Sequence, residues 1–363
     1  LKPNSADTHY NLGNILKDIG NLEEAEISYR KAIKLNPNFA NAHYNLGNVL
    51  RDLGKLKDAE LSYRKAIEIK PDCAEAYSNL GNILSDLGKL KEAELSTRKA
   101  IELNPNFAEA SWNLYGLSNS IKEAEERINQ CLKIDKSHLK AKLTLSALKL
   151  HQGDQSLFDN LMETSYQDHP LMRSLRWTKA LPNLPELFFH RWALFDNVIA
   201  KTKKERPFYE FGVWHGVSFK YLINTFKKGF GFDTFEGLPE NWHTQKIGAY
   251  SAEGVIPKIN EGTFITGKFE ETLPIFFAQS RPMASVINYD ADLYSSTLCA
   301  LNHSKPIIDE HTILIFDEFI VNENWEQDEY KALNEFCLNN NLSYEVLALS
   351  YMTKQVAVRL LGF

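Results

Sequence analysis

From Ala6 onward the apolar positions recur at helical spacing, and the pattern returns every 34 residues when Ala6, Ala40, Ala74 and Ala108 are aligned. Leu-Gly pairs (Leu12-Gly13, Leu46-Gly47, Leu80-Gly81) fall on a first helix, where the small glycine admits a second helix at close range. On that second helix Ala25, Ala59 and Ala93, then Ala32, Ala66 and Ala100, mark the inward stripe, and Pro37, Pro71 and Pro105 close each unit. The period predicts stacked helical hairpins, none of which can bury its apolar face alone. The unit from Ala108 departs from the pattern. Tyr115 replaces the glycine, the turn between its helices is three residues shorter, and Lys136 stands where proline is expected, so it reads as a capping unit. Pro3 lies 34 residues before Pro37, and Leu1 to Ser5 read as the tail of an earlier unit, with the natural chain expected to extend further N-terminally.

Beyond residue 137 the pattern stays helical, as in Leu139 to Leu150, but loses the repeat and ends at Pro182 and Pro185. A helix is predicted over 187–204, with an apolar face through Leu187, Trp192, Phe195 and Ile199. Short β-type runs then follow at 207–213, 229–233, 263–266, 285–289 and 312–316. Strands alternating with helices predict a doubly wound, mostly parallel α/β sheet. The expected organisation is multidomain, α plus α/β: an all-α superhelix over 1–139, a helical connector over 140–185 and an α/β domain over 186–363. In such sheets ligands sit beyond the carboxyl ends of the strands.

The first half resembles the tetratricopeptide repeat, whose paired helices stack into a superhelix with a concave face. Asn11, Asn14, Asn45, Asn48, Asn79, Asn82 and Asn113 recur on the first helix of each unit, the helix that lines the concave groove in this family. A carboxamide both donates and accepts, which suits the backbone of an extended peptide. The other reading is that these residues stabilise neighbouring units, in a scaffold or a self-associating array.

The formal net charge of −6, without a long Lys/Arg block, leaves nucleic acid no electrostatic footprint. No apolar run reaches the roughly 18 residues of a membrane span. Cys73, Cys131, Cys299 and Cys337 show no Cys-x-x-Cys spacing, so neither a zinc site nor a disulfide framework is expected. With no apolar signal region at the start, the expected setting is reducing and cytoplasmic.

The chemistry gathers at the predicted strand ends. The first ends in Glu210-Phe-Gly212-Val-Trp-His-Gly216-Val-Ser218, where glycines let a tight turn pass close to a ligand. The second ends in Asp233, about 20 residues on, where a carboxylate can accept from ribose hydroxyls. The third glycine of a dinucleotide fingerprint is missing. That favours S-adenosylmethionine, which has no phosphate. Later strands end in Asp290-Ala-Asp292 and Asp317-Glu318. Clustered carboxylates without basic partners repel unless a cation joins them, and an oxygen-only set points to Mg²⁺ or Ca²⁺; the alternative is a helix cap with the rest solvated.

The segments EFGVWHGVSFKYL, GFDTFEGLPENW, ITGKFEETLP, INYDADLYSSTLCAL and ILIFDEF, in that order, resemble the macrocin O-methyltransferase family over residues 186–363. The resemblance implies a class I methyltransferase fold, S-adenosylmethionine, a divalent cation, usually magnesium, and methyl transfer to a hydroxyl of a sugar-bearing substrate. By position it places Gly212, Gly216 and Ser218 at the cofactor turn begun by Glu210, Asp233 at the ribose, Lys268 and Phe269 near the adenine, and Asp290, Asp317 and Glu318 on the metal. Where the family has two aspartates, this chain has Asp317-Glu318. Asp292 and His243 are candidates for the base, His243 lying in an expected lid over Asn241 to Ile256, with a solvent-exposed histidine as the other reading. The expected partners are a peptide or protein in the groove and a sugar-bearing or small-molecule acceptor, with homo-oligomerisation open. The competing class is a repeat-based binding scaffold whose second domain is catalytically degenerate.

Overall fold

A computed structural model describes residues 5–363, and the chain divides into two compact units between Lys142 and Leu143. Of the expected tail at Leu1 to Ser5, only Ser5 lies within the described residues; its side chain accepts from the Thr8 N–H and caps the first helix. No described helix is long and apolar enough to cross a membrane.

The first unit is four hairpins: α1 (Ala6–Asp18) with α2 (Leu22–Leu35), α3 (Ala40–Asp52) with α4 (Leu56–Ile69), α5 (Ala74–Asp86) with α6 (Leu90–Leu103), and α7 (Ala108–Tyr115) with α8 (Ile121–Ile134). Close approach explains the recurring glycine. A Cβ on Gly47 would lie 2.7 Å from the Tyr63 ring, so any larger residue would push α3 off α4. Leu46, Val49, Leu50, Leu80, Ile83 and Leu84 join Ala25, Ala59 and Ala93 in one continuous core. Charge adds an outer ladder between units: Lys55 to Glu26 at 3.1 Å, Lys89 to Glu60 at 2.8 Å and Arg127 to Glu94 at 2.9 Å.

The asparagines form a second, inner ladder. Asn14 Oδ1 accepts from the Tyr29 hydroxyl (2.7 Å) and from Asn45 Nδ2 (2.8 Å), and Asn45 Nδ2 also donates to the Tyr10 hydroxyl (3.2 Å). One unit on, Asn48 Oδ1 accepts from Tyr63 (2.8 Å) and Asn79 Nδ2 (3.0 Å), while Asn79 reaches Tyr44 (3.2 Å). Asn14, Asn45, Asn48 and Asn79 thus hydrogen-bond the repeats to one another, the contacts that the reading of them as stabilising neighbouring units expects. Asn113 likewise donates to Ser78 at 3.2 Å. Asn11 is exposed. In the third unit Ser78 and Thr97 replace the two tyrosines, Thr97 bonds the Ala93 carbonyl (2.9 Å), and Asn82 has no partner among the described residues.

The second unit begins within α9 (Leu139–His151) and continues with α10 (Ser156–Met162) and α11 (Pro170–Lys179). The segment set apart as a connector belongs, from Leu143 on, to this unit. Tyr351 hydrogen-bonds both His151 (3.2 Å) and Thr178 (3.0 Å), and Arg173 pairs with Glu326 at 2.8 Å. The sheet comprises β1 (Glu186–Leu187), β2 (Phe208–Phe211), β3 (Gly229–Asp233), β4 (Gly262–Thr266), β5 (Val286–Tyr289), β6 (Ile313–Phe316), β7 (Ser343–Leu349) and β8 (Val356–Leu361), in the order β1-β7-β8-β6-β5-β2-β3-β4. Helices α12 (Arg191–Ala200), α13 (Val217–Phe226), α14 (Phe269–Phe277), α15 (Tyr294–Ser304) and α16 (Glu329–Asn339) connect the strands. Strand β8 runs antiparallel to β6 and β7.

Every residue of β2, β5 and β6 is buried, as expected for parallel strands covered on both faces. The five expected strands are present within a residue or a few. Three others, β1, β7 and β8, were not expected. The helix expected over 187–204 starts only at Arg191, because Glu186 and Leu187 pair with β7 and the His190 side chain caps α12 by accepting from the Ala193 N–H at 3.1 Å.

The inner ladder makes a contrast measurable. Asn48→Ala leaves the buried Tyr63 hydroxyl and the Asn79 amide without their acceptor and is expected to cost about 1–3 kcal/mol. Asn82→Ala, with no bond to lose, should stay within about 0.5 kcal/mol of the parent. Urea unfolding of the full chain, followed by helical circular dichroism, distinguishes them; equal losses would contradict the ladder.

Candidate functional site

Order reverses between β2 and β5, the position where a doubly wound sheet opens a crevice beyond its strand ends. The register sets what stands there. Phe232, Phe211, Tyr289 and Phe316 pair side by side on β3, β2, β5 and β6, with ring centroids 4.8, 5.3 and 5.0 Å apart in sequence across the sheet. The next residue on each strand is Asp233, Gly212, Asp290 and Asp317, so these four share one rim.

Gly212 has φ +89°, and a Cβ there would fall 1.8 Å from the Asp290 carbonyl oxygen. Only glycine fits where these two loops meet. Gly216, at φ +71°, starts α13. Both oxygens of Asp233 are engaged by backbone: Oδ2 accepts from the Val213 and Trp214 N–H groups and Oδ1 from Phe235, all at 2.7 Å. Asp233 thus shapes the glycine turn itself. Glu210 and Ser218 do not line the open rim. Glu210 is fully buried, and its Oε1 accepts from the Ser218 hydroxyl and from Asn288 Nδ2 (2.9 Å), tying β2 to α13 and β5. Lys268 is exposed at the start of α14, and the Phe269 ring meets Phe211 edge-on at 5.7 Å.

The carboxylates converge, though not all are unpaired as expected. Asp317 accepts from Gln355 and pairs with Arg191 at 3.3 Å, and Glu318 pairs with Lys354 at 2.9 Å. The antiparallel β8, unforeseen in the sequence, brings the Lys354-Gln355 pair to the rim. Asp290 and Asp292 have no side-chain partner among the described residues. Burial, then the charges of Asp317 and Asp292, pushes the Asp290 carboxyl well above its ordinary range; burial, then Glu318 and Asp317, does the same to Asp292. Two further acids were missed. Glu329, fully buried at the start of α16, accepts from the Glu318 N–H at 3.1 Å and leaves its other oxygen unpartnered. Asp328 accepts from or pairs with His243 at 2.8 Å. Among the described residues no three His, Cys, Asp or Glu side chains are arranged to hold a metal ion as they stand.

The expected lid, Asn241 to Ile256, is an irregular segment whose Trp242 packs with Leu238 on Leu293, and just before it Glu240 accepts from Ser295 at 2.5 Å. His243 sits in it on an exposed stretch, with its imidazole held by Asp328. Tyr250 projects toward the rim: its ring lies edge-on to Trp214 at 6.0 Å, and burial followed by the charges of Asp292 and Glu318 raises its hydroxyl to about 12. Trp214, Tyr250 and Asp292 all hold positive φ (49°, 58° and 57°), a conformation that costs energy for residues other than glycine.

Comparison with known proteins addresses the first unit. Models of the tetratricopeptide repeat match residues 13–50, 47–88 and 74–107; these residues are tetratricopeptide repeats. No curated protein matches the chain. Among solved structures, YrrB, described as a TPR protein with an unusual peptide-binding site, is 23% identical over 48% of this chain and 94% of its own, with a TM-score of 0.40. MamA is 25% identical over 40% and 86% (TM-score 0.37), and PilF of Pseudomonas aeruginosa 23% over 47% and 75% (TM-score 0.40).

Glu210 gives the site a pH signature. Burial raises its carboxyl to about 8, against an unfolded value of about 4.3. Between those limits the unfolded chain has released the proton and the folded chain has not, so this group's contribution is complete at low pH and is lost as pH rises toward 8. Glu210→Gln keeps an acceptor for Ser218 and Asn288 and removes the titration. Its melting temperature should fall less steeply than the parent's from about pH 5 to pH 8, and parallel curves would count against a buried, neutral Glu210.

Proposed function

We propose that the second unit transfers the methyl group of S-adenosylmethionine to a hydroxyl of a sugar-bearing or other small acceptor, and that the repeats hold a peptide or protein partner. The observation that supports the enzyme reading most is the meeting of the Gly212 turn, Asp233 and the Asp290 loop at the strand reversal. A glycine turn shaped by a carboxylate, beside a bank of further carboxylates, suits a nucleoside carrying a sulfonium better than one carrying phosphates. The resemblance of the same segments to the macrocin O-methyltransferases also supports it.

The donor set at the rim is all oxygen and has more carboxyls than Arg191 and Lys354 pair with, which is the chemistry of a hard divalent cation. Asp290, Asp317 and Glu318 would hold it, Asp317 and Glu318 exchanging their present contacts. When bound it would lower the cost of forming an alkoxide from a sugar hydroxyl, whose pKa lies far above 7. Asp292, unpartnered beside them, would accept the hydroxyl proton once a bound cation offsets the neighbouring charges that hold its carboxyl high. The lid under Trp242 would exclude water and align acceptor oxygen, methyl carbon and sulfur. Atoms balance with no covalent enzyme intermediate: the oxygen gains the methyl group, the carbon–sulfur bond breaks, and the proton goes to the base.

One observation favours the second reading, a binding scaffold with a degenerate enzyme domain: two of the three presumptive ligands are already neutralised by Arg191 and Lys354.

Calorimetric and melting titrations decide between them. S-adenosylmethionine at 100 times its Kd should stabilise the full chain by about 2.7 kcal/mol. Asp233→Ala should lose that gain. Asp290→Asn should retain it but lose any increment from Mg²⁺, while gaining stability without metal through relief of like-charge repulsion. No binding of S-adenosylmethionine or its demethylated product to the parent chain would sink the enzyme reading.

A further inference from the structure

The helices α3, α5 and α7 start from equivalent residues, Phe39, Cys73 and Phe107. Phe39 lays its ring against Tyr10 of the preceding unit, centroids 4.8 Å apart. Thirty-four residues on, Tyr44 is the equivalent of Tyr10, but Cys73 stands in place of the phenylalanine. Its side chain is too short to reach across. A cavity of about 290 Å³ remains, lined by Tyr10, Ala40, Tyr44, Asn45, Ala66 and Cys73, with Asn41, Lys70 and Glu75 adding polar groups. Small-molecule sites run from roughly 300 to 1,000 Å³, so this one suits a single side chain better than a whole ligand. The Cys73 thiol is half-buried in its wall, 3.6 Å from Glu75 Oε2.

We propose that this cavity is a socket for one aromatic side chain of a bound peptide, which supplies the ring that Cys73 lacks. The proposal rests on the reading of the repeats as a peptide-holding array, and the chain itself argues the occupant. One unit earlier the equivalent tyrosine, Tyr10, holds a phenylalanine ring at 4.8 Å, and tilted aromatic pairs at this spacing attract beyond their buried area. The tyrosine walls are fixed in advance, Tyr10 by Asn45 and Tyr44 by Asn79 (both 3.2 Å), so an incoming ring does not have to order them.

The test uses Cys73 as its own reporter. In the full chain carrying Cys299→Ser, with Cys131 and Cys337 buried, the alkylation rate by iodoacetamide reports access to the socket. N-acetylphenylalanine amide should slow it several-fold in a saturable way, and N-acetylalanine amide should not. Peptides selected from a random displayed library on the parent chain should share an aromatic residue, and Cys73→Phe should weaken them on the order of tenfold while preserving the helical signal. Equal alkylation with either amide overturns the socket, whatever the peptides do. Selected peptides without an aromatic residue, bound equally by Cys73→Phe, also overturn it but leave the peptide reading standing. Protection by the phenylalanine amide with no peptide selected would support the socket for a ring and remove the peptide reading instead.

Discussion

The second unit depends on strand register. Because Phe232, Phe211, Tyr289 and Phe316 pair directly across four parallel strands, the following residue on each strand leaves the sheet at the same height. Rings stacked at about 5 Å resist slippage, since a one-residue shift would turn each ring to the opposite face of the sheet. The polar residues beyond them are carried to one rim by this apolar row. Gly212 then has to be glycine because the Asp290 backbone comes within contact distance, and Asp233 has to fold back onto the turn because three amides there need an acceptor. Candidate chemistry and packing are thus one arrangement.

In the first unit the corresponding constraint is the shared asparagine. Asn48 accepts from its own hairpin through Tyr63 and from the next through Asn79, so the amide that closes one unit also sets the stacking of its neighbour. Apolar burial between repeats is non-directional; the asparagine and the outer charge ladder give it a register. Where Ser78 and Thr97 replace the tyrosines the inner ladder thins, and the short α7 and its capping unit follow directly.

Much of this was legible in the sequence, for identifiable reasons. Identical residues at a fixed period locate hairpins without knowledge of their packing, and β2, β3, β5 and β6 are short, largely apolar runs that end at or just before Gly212, Asp233, Asp290 and Asp317. Illegible were the features that depend on partners far away in the chain. Glu186 and Leu187 look like the start of an amphipathic helix until β7 is there to pair with them. The asparagines look like free groove amides until tyrosines 15 and 35 residues away are seen to occupy them. Arg191 and Lys354 carry no local signal that they would meet Asp317 and Glu318. Cys73 could have been noticed by aligning the repeats, since it stands between Phe39 and Phe107 at the same position.

The carboxylate rim is best understood as a balance that the fold leaves unsettled. Two cations face a set that includes Asp290, Asp292, Asp317, Glu318 and Glu329, and the unpaired members have carboxyls held well above their ordinary range by burial and by one another. Such a group costs stability in every ionised state. It would be easily replaced by apolar residues if stability were its purpose. The cost falls beside Trp214, Tyr250 and Asp292, three of the residues that hold positive φ, so an electrostatic and a conformational cost meet at the strand reversal. A positively charged occupant, whether a sulfonium or a divalent ion, would offset the first of these, and that directs attention to this rim rather than to any other surface of the second unit.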